Sequence, residues 1–146
     1  MRTGWADAAL STYQDHVVAH VIGATVLGHF VLDDAAHLVL DIGFVWTIFV
    51  DGEMLLRHER LALTELGLAD EARAALEAEF DALHEGGAAV APPPLTRRAP
   101  AGCTIREVEL YADDVRRRLI VRGEASGLVV EADAGTGEIG VADLAG

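Results

Sequence analysis

Lysine and asparagine are absent from this chain of 146 residues, and cysteine occurs once. Without lysine the chain can form no Schiff base and cannot build a phosphate-binding loop that depends on a lysine. The lone Cys103 excludes an intramolecular disulfide and a cysteine-based zinc knuckle, and it favours a reducing compartment, so we expect a cytoplasmic protein. The two serines, Ser11 and Ser126, do not fit the glycine spacing of a nucleophile elbow. No catalytic or cofactor-binding residue is therefore assigned.

Positive charge is also scarce. Eleven arginines stand against 24 acidic residues, which gives a formal net charge of −13 at pH 7. This surplus argues against binding to nucleic-acid phosphates or to anionic lipid. It would speed association with a basic protein partner. Solubility or adaptation to salt would explain the same charge, and the sequence leaves these alternatives open.

Long uninterrupted hydrophobic runs are missing, although hydrophobic residues make up 51% of the chain. The two longest runs, residues 17–32 and 38–50, contain His20, His29 and Asp41 and fall short of the roughly 20 apolar residues that span a bilayer. Acidic residues also interrupt the region where a signal peptide would have its apolar core. We therefore expect no membrane segment. The apolar content is enough for one compact, ordered domain.

Two segments have helical periodicity. In residues 5–20 apolar side chains recur every three or four positions, with Thr3 as a candidate N-cap and Gly23 just beyond the end. Residues 70–85 are rich in alanine, glutamate and leucine, and Gly86 follows them. The apolar stripe of this second helix consists of Ala72, Leu76, Phe80 and Leu83.

Residues 26–32 switch to the alternating pattern that is typical of strands. Val26, Phe30 and Leu32 would share one face of this first strand. A turn is predicted directly after it at residues 33–36, because aspartate tolerates the left-handed backbone conformations of tight turns.

The strongest alternation covers residues 38–50, whose even-numbered side chains, among them Ile42 and Trp46, are expected to be buried. Gly43 marks a break or bulge, since a strand of this length would be unusual. Asp51 and Gly52 predict a hairpin turn. After the prolines, the sequence predicts four further strands at about 104–111, 115–122, 127–133 and 138–142.

These elements predict an α+β fold in which two helices pack on an antiparallel β-sheet of meander-type strands, within a single domain. The expected parts are an N-terminal helix plus β-meander at 1–68, a helix at 69–86, a Pro-rich connector at 87–102 and a C-terminal β-meander at 103–146. The connector should be extended and exposed, because its three consecutive prolines offer no backbone donors. Both halves should share one core, since separate lobes would leave the stripe of the second helix uncovered.

Histidines and acidic residues near the first hairpin suggest a metal site. His16 and His20 are four residues apart on one flank of the first helix, a spacing that zinc or nickel sites use. Further ligands would come from the hairpin at 29–41, where His29, His37, Asp33 and Asp41 are the candidates. The glutamate that a metalloprotease helix carries beside its first histidine is absent, since Val17 stands there. A polar helix flank beside a turn is the alternative interpretation.

A cluster of arginines is the main positive feature. Arg116, Arg118 and Arg122 would project from one face of a strand. If a four-residue loop closes the preceding hairpin, Glu109 faces Arg118 and Tyr111 faces Arg116. Cross-strand ion pairs on a solvated sheet face would then explain the cluster. An anion-binding patch formed by the three arginines is the alternative.

The functional prediction is an acidic, cytoplasmic binding or interaction module without catalytic activity, for a basic protein partner. Phe49 would face away from the buried side of its strand, and an uncovered Phe49 would suit a partner or a homo-oligomer. The alternative function is a metal-dependent enzyme or metal-binding protein that uses the pair His16 and His20 with a divalent metal.

Overall fold

The computed structural model describes residues 4–86 and 95–144. Within these ranges, three helices and ten strands form a mixed α+β fold, which confirms the predicted class. The helices are α1 (Thr12–Val21), α2 (Glu59–Glu65) and α3 (Asp70–Glu85). The strands are β1 (Ala6–Asp7), β2 (Val26–Leu32), β3 (Ala35–Leu40), β4 (Phe44–Phe49), β5 (Met54–His58), β6 (Arg97–Arg98), β7 (Ile105–Asp113), β8 (Arg116–Gly123), β9 (Gly127–Asp133) and β10 (Glu138–Asp143). The prediction of two helices therefore omitted α2.

The strands form two antiparallel five-stranded sheets. The inner sheet has the order β5-β4-β3-β2-β6, and the outer sheet has the order β1-β7-β8-β9-β10. One cluster of buried side chains contains Leu38 and Trp46 of the inner sheet together with Leu119 and Val121 of the outer sheet. Helix α1 adds Val17 to this cluster. The cluster thus unites residues from before and after the Pro-rich segment.

The opposite face of the inner sheet packs on helices α2 and α3. Val39 and Val45 of the sheet share a second buried cluster with Leu63, Leu76 and Phe80 of the helices. Because both faces of the inner sheet are covered, every residue of β3 is buried. Double burial explains why the odd-numbered face of residues 38–50 is not consistently polar.

The first hairpin turn lies within the predicted residues 33–36 but is shorter, since Ala35 and Ala36 already belong to β3. Asp33 and Asp34 have φ angles of 51° and 60°, which suit a two-residue hairpin turn of type I′. Gly43 has a φ of 83° and separates β3 from β4, so the predicted break is confirmed. Ile42, which was expected to be buried, is 48% exposed because it lies in this turn. The four C-terminal strands match their predicted positions closely.

The first helix begins later than its periodicity indicates. Ser11 is its N-cap, and the Ser11 hydroxyl accepts a hydrogen bond from the backbone N–H of Gln14. The Gln14 side chain accepts in return from the backbone N–H of Ser11 at 2.8 Å, which completes a capping box. Residues 6–7 form the short strand β1 instead, so the prediction of a helix from residue 5 was wrong. The cap candidate Thr3 lies outside the described residues.

Strand β2 also differs from its prediction. Its pairing with β3 shifts between Val26 and Gly28, which indicates a β-bulge. Since one extra residue reverses the side-chain alternation, Val26 joins the cluster between the sheets whereas Phe30 joins the cluster beneath the helices. The two residues therefore do not share one face.

The described part of the connector is anchored to the rest of the fold. Arg97 and Arg98 form the edge strand β6 beside β2, and both are exposed, as predicted. Just before them, the buried carboxylate of Glu79 in α3 accepts hydrogen bonds from the backbone N–H groups of Leu95 and Thr96 and from the Thr96 hydroxyl. Three bonds to one carboxylate hold this segment against α3. The prolines at 92–94 lie outside the described residues.

Candidate functional site

Four hairpin turns gather at one end of the two sheets, which we call the acidic end. The turn after β2 lies close to the turn after β9. The Asp34 carboxylate is 3.9 Å from the point where the Cβ atom of a side chain at Gly137 would lie. The turn after β4 meets β8, since Arg117 Cγ lies 3.1 Å from a Cβ built on Gly52. The carboxylates of the acidic end are Asp33, Asp34, Asp51, Glu53, Asp113, Asp114, Asp133 and Glu138.

Trp5 lies on the outer sheet at the acidic end. Strand β1 pairs with the end of β7 and thereby places the preceding Trp5 beside β8. The guanidinium carbons of Arg116 and Arg118 lie 4.7 and 4.4 Å from the centre of the Trp5 ring. Both distances are within the range of cation–π attraction, so the ring is fixed between β1 and the arginine cluster.

A cleft of about 360 Å³ opens beside this ring, and we call it the Trp5 cleft. Its charged lining consists of Arg116 and the three carboxylates of Glu131, Asp133 and Glu138. Glu138 is exposed, and no ion pair joins its carboxylate to another residue of the described ranges. The lining thus has more negative than positive charge and includes an aromatic surface.

The arginine cluster forms ion pairs, as the first interpretation predicted. Arg116 pairs with Asp113, Arg118 with Glu131 at 3.1 Å and Arg122 with Glu109 at 2.8 Å. The hydrogen bond to Asp113 raises the pKa of Arg116, and nearby carboxylates raise it further. These carboxylates offset the positive charge of all three arginines, which leaves little attraction for an anion at this face.

The predicted partners of these arginines were wrong. The turn between β7 and β8 has two residues rather than four, so that Asp113 lies opposite Arg116. Tyr111 therefore faces Arg118, and Glu109 faces Ile120. Glu109 reaches Arg122 diagonally instead.

The histidines predicted as metal ligands lie at separate places. His16 and His20 are exposed on α1, with ring centres 5.5 Å apart, and His20 Nδ1 donates to the His16 carbonyl at 2.8 Å. His37 lies directly opposite Phe30 and therefore points to the same face of the inner sheet as Phe30. His29 precedes Phe30 in β2, and successive residues of a strand point to opposite faces. His29 and His37 therefore face opposite sides of the sheet.

Asp41 is engaged elsewhere, because its carboxylate accepts from the backbone N–H of Thr25 at 2.9 Å. Across residues 4–86 and 95–144, no three His, Cys, Asp or Glu side chains come close enough to hold one metal ion. The metal-binding hypothesis stays a prediction without a coordination set to support it.

His37 belongs to a buried chain of hydrogen bonds. Arg57 Nη2 donates to the Thr47 hydroxyl at 3.1 Å, and that hydroxyl lies 2.8 Å from His37 Nδ1. Since Thr47 has one proton to donate, the geometry suits a neutral imidazole that accepts at Nδ1 and donates from Nε2 to the Leu32 carbonyl at 3.4 Å. Burial lowers the pKa of His37 to about 4, with a smaller contribution in the same direction from the neighbouring Arg57. His37 is therefore a neutral structural group at pH 7.

Sequence reasoning missed the main residues of the Trp5 cleft. Trp5 was assigned to the apolar stripe of a helix, because residues 5–20 have a helical period. The capping-box pattern of Ser11 and Gln14 was the signal that would have placed the start of the helix at residue 11 and left Trp5 outside the helix. Glu131 and Glu138 gave no comparable signal, since their proximity depends on the pairing of β8, β9 and β10.

Comparisons with known proteins give no family assignment. No protein-family profile matches the chain, and neither the curated proteins nor the solved structures yield a match. Within the described ranges, none of the helices has the length and apolar content that crossing a bilayer requires. Any functional conclusion therefore rests on the residues and geometry of the site.

Proposed function

We propose that the chain is an acidic interaction module without catalytic activity, and that the Trp5 cleft receives an arginine or lysine side chain of a basic protein partner. The observation that carries this proposal is the lining of the cleft beside an aromatic ring, in which Asp133 and Glu138 remain negative after Arg116 and Arg118 have paired with Asp113 and Glu131. A basic side chain could lay its hydrocarbon stem along Trp5 and bring its charge to Glu138.

The surroundings of the cleft support the same partner. The acidic end places further carboxylates around the opening, and the whole chain has a net charge of −13. A field of this sign accelerates the approach of a basic protein and weakens as salt is added. The positive charges near Trp5 oppose a basic ligand only weakly, because Asp113 and Glu131 pair with Arg116 and Arg118.

We further propose that the module is a single domain that works in the cytoplasm. The cluster between the sheets contains residues from both sides of the Pro-rich segment, such as Trp46 and Val121. Cys103 is free and fully buried, and burial raises the pKa of its thiol, as expected of an unreactive cysteine in a reducing compartment. Phe49 is 36% exposed, so the predicted contact with a partner or a second copy also remains a proposal.

Cutting the connector tests the single domain. A specific protease site is inserted between residues 86 and 95, and the cut chain is examined by size-exclusion chromatography. We expect the two fragments to co-elute with native secondary structure, because each half covers apolar surface of the other. The uncut chain with the same insertion is the control. Two fragments that separate and stay folded would contradict a shared core.

The basic partner is tested with a fluorescein-labelled oligoarginine peptide, whose anisotropy reports binding to the full chain. We expect binding that weakens as salt rises, and a loss of roughly threefold to tenfold in affinity for Glu138→Gln. Glu77→Gln is the matched control, because Glu77 is exposed on α3 and the change removes the same charge far from the cleft. Equal effects of the two substitutions would show that net charge alone attracts the peptide and would contradict a specific cleft.

Gly140 allows the cleft to be filled without disturbing its walls. Gly140 pairs with Glu131, so a side chain at this position would point to the same face as Glu131, and a Cβ atom there would meet nothing within 4 Å. Gly140→Val should therefore change stability by less than about 0.5 kcal/mol and still weaken the peptide severalfold. Unchanged peptide affinity in this variant would place the binding site elsewhere.

A further inference from the structure

A second cavity lies where the edges of the two sheets meet, and we call it the seam cavity. Its volume is about 410 Å³, and its walls come from β2, from the segment 95–97 and from β10. This volume lies in the range of small-molecule binding sites. The Trp5 cleft opens on the outer face of the outer sheet, so the two sites are separate and the inference below does not rest on the proposed function.

The seam cavity is lined by a buried histidine without a partner. His29 is 6% exposed, and no hydrogen bond joins its ring to another residue of the described ranges. Burial lowers the pKa of His29, so the ring is neutral at pH 7 and offers one N–H donor and one acceptor nitrogen. The ring nitrogens of His29 are not among the fully buried unpaired atoms, so they are open to the cavity and a ligand there can reach them.

A positive charge stands beside this histidine. Arg97 lies directly opposite His29 in the pairing of β2 and β6, and directly opposite residues project from the same face of a sheet. Arg97 also lines the cavity, and no ion pair joins it to a carboxylate of the described ranges. A guanidinium and an imidazole N–H on one wall are donors suited to an oxyanion.

Apolar side chains also line the cavity, although polar atoms expose the larger part of its surface. Val31, Leu95 and Val141 contribute hydrocarbon surface, which favours a ligand with an apolar part over a fully hydrated ion. Asp143 on β10 opposes an anion, since its negative charge acts on His29 and partly offsets the lowering of the ring's pKa by burial. The site therefore has one charged group that favours an anion, Arg97, and one that opposes it, Asp143, and each can be changed separately.

We propose that the seam cavity binds a small organic carboxylate, with the carboxylate held by Arg97 and His29 and the hydrocarbon part packed against Val31, Leu95 and Val141.

Benzoate is the probe, and the full chain is labelled with ¹⁵N. We expect saturable chemical-shift changes at the backbone amides of His29, Arg97 and Val141, with a dissociation constant of about 1 mM or below. Arg97→Gln should weaken benzoate roughly tenfold, because it removes a charge-assisted bond. Asp143→Asn should strengthen it severalfold, because it removes a like charge.

Arg98→Gln is the matched control. Arg98 is the neighbouring residue on the same exposed strand, it does not line the cavity, and its replacement removes the same charge. We expect benzoate affinity to stay within about twofold in this variant. Inorganic phosphate should bind more weakly than benzoate, since it has no apolar part.

Three results would overturn the proposal. They are the absence of saturable shifts at the three amides up to about 20 mM benzoate, equal affinity in Arg97→Gln and the unaltered chain, and binding of phosphate as tight as that of benzoate. A failure of the oligoarginine experiment would leave these outcomes unaffected, because the two sites share only Gly140 and the groups tested here, Arg97 and Asp143, do not line the Trp5 cleft.

Discussion

Replacing Trp46 with alanine should lower the free energy of unfolding by about 3–5 kcal/mol, as measured by urea denaturation. Trp46 is fully buried between the sheets and is one of the largest side chains of that cluster. It lies opposite Leu38 on one neighbouring strand and Leu56 on the other. Strands on both sides prevent these neighbours from closing over the gap, so a cavity would remain.

Trp46→Phe separates packing from hydrogen bonding at the same position. The Nε1 atom of Trp46 is buried and has no hydrogen-bond partner among the described residues. Phenylalanine would remove this unpaired donor, which costs about 1–3 kcal/mol when left unsatisfied, and would keep most of the apolar volume. We expect a loss below about 2 kcal/mol. A loss as large as that of the alanine variant would contradict this interpretation.

Acid should destabilise the fold through His37, by on the order of 3 kcal/mol between pH 7 and pH 4. Burial lowers the pKa of His37 in the folded state to about 4, whereas an unfolded histidine has a pKa near 6.5. Between these values the unfolded chain binds a proton that the folded chain does not, so stability falls as the pH decreases through this window. Above pH 6.5 both states are neutral and the contribution is complete.

A comparison of variants isolates this histidine from the carboxylates that titrate in the same range. Urea denaturation at pH 7 and pH 4 should show a smaller acid loss for His37→Gln than for the unaltered chain, whatever the absolute stability of the variant. His16→Gln is the control, because His16 is exposed on α1 and its replacement should leave the acid loss unchanged. An equal acid loss in all three proteins would refute the role of His37.

Local patterns predicted those parts of the fold that short-range physics determines. The alternation around Trp46 and the turns at residues 33–34 and 51–52 depend on side-chain direction and on backbone conformations that only a few residues tolerate. Helix α3 was predicted with its boundaries at residues 70–85, because Gly86 ends it in the left-handed conformation. Each of these signals lies within a few residues of the element that it defines.

The features that the sequence did not predict depend on register or on distant pairing. The ion pairs of the arginine cluster were predicted in kind, but their partners changed because the turn after Asp113 is two residues shorter than assumed. The bulge in β2 turns Phe30 to the face of the inner sheet that packs on α2 and α3, and no residue type in the sequence predicts the position of this bulge. The Trp5 cleft combines residue 5 with residues 116–140, and the seam cavity combines residues 29–31 with 95–97 and 140–141.

The position of β1 has a consequence for how the chain is made. Ala6 and Asp7 pair with Ala112 and Tyr111, which are synthesised more than a hundred residues later. The hairpins of the inner sheet can close early because their strands are neighbours in sequence, but the face that carries Trp46 is only partly covered, by helix α1, until β7, β8 and β9 have emerged. During this interval the nascent chain presents a row of apolar side chains to its surroundings. Productive folding thus requires that β7, β8 and β9 are synthesised faster than the exposed apolar surface associates with other unfolded chains.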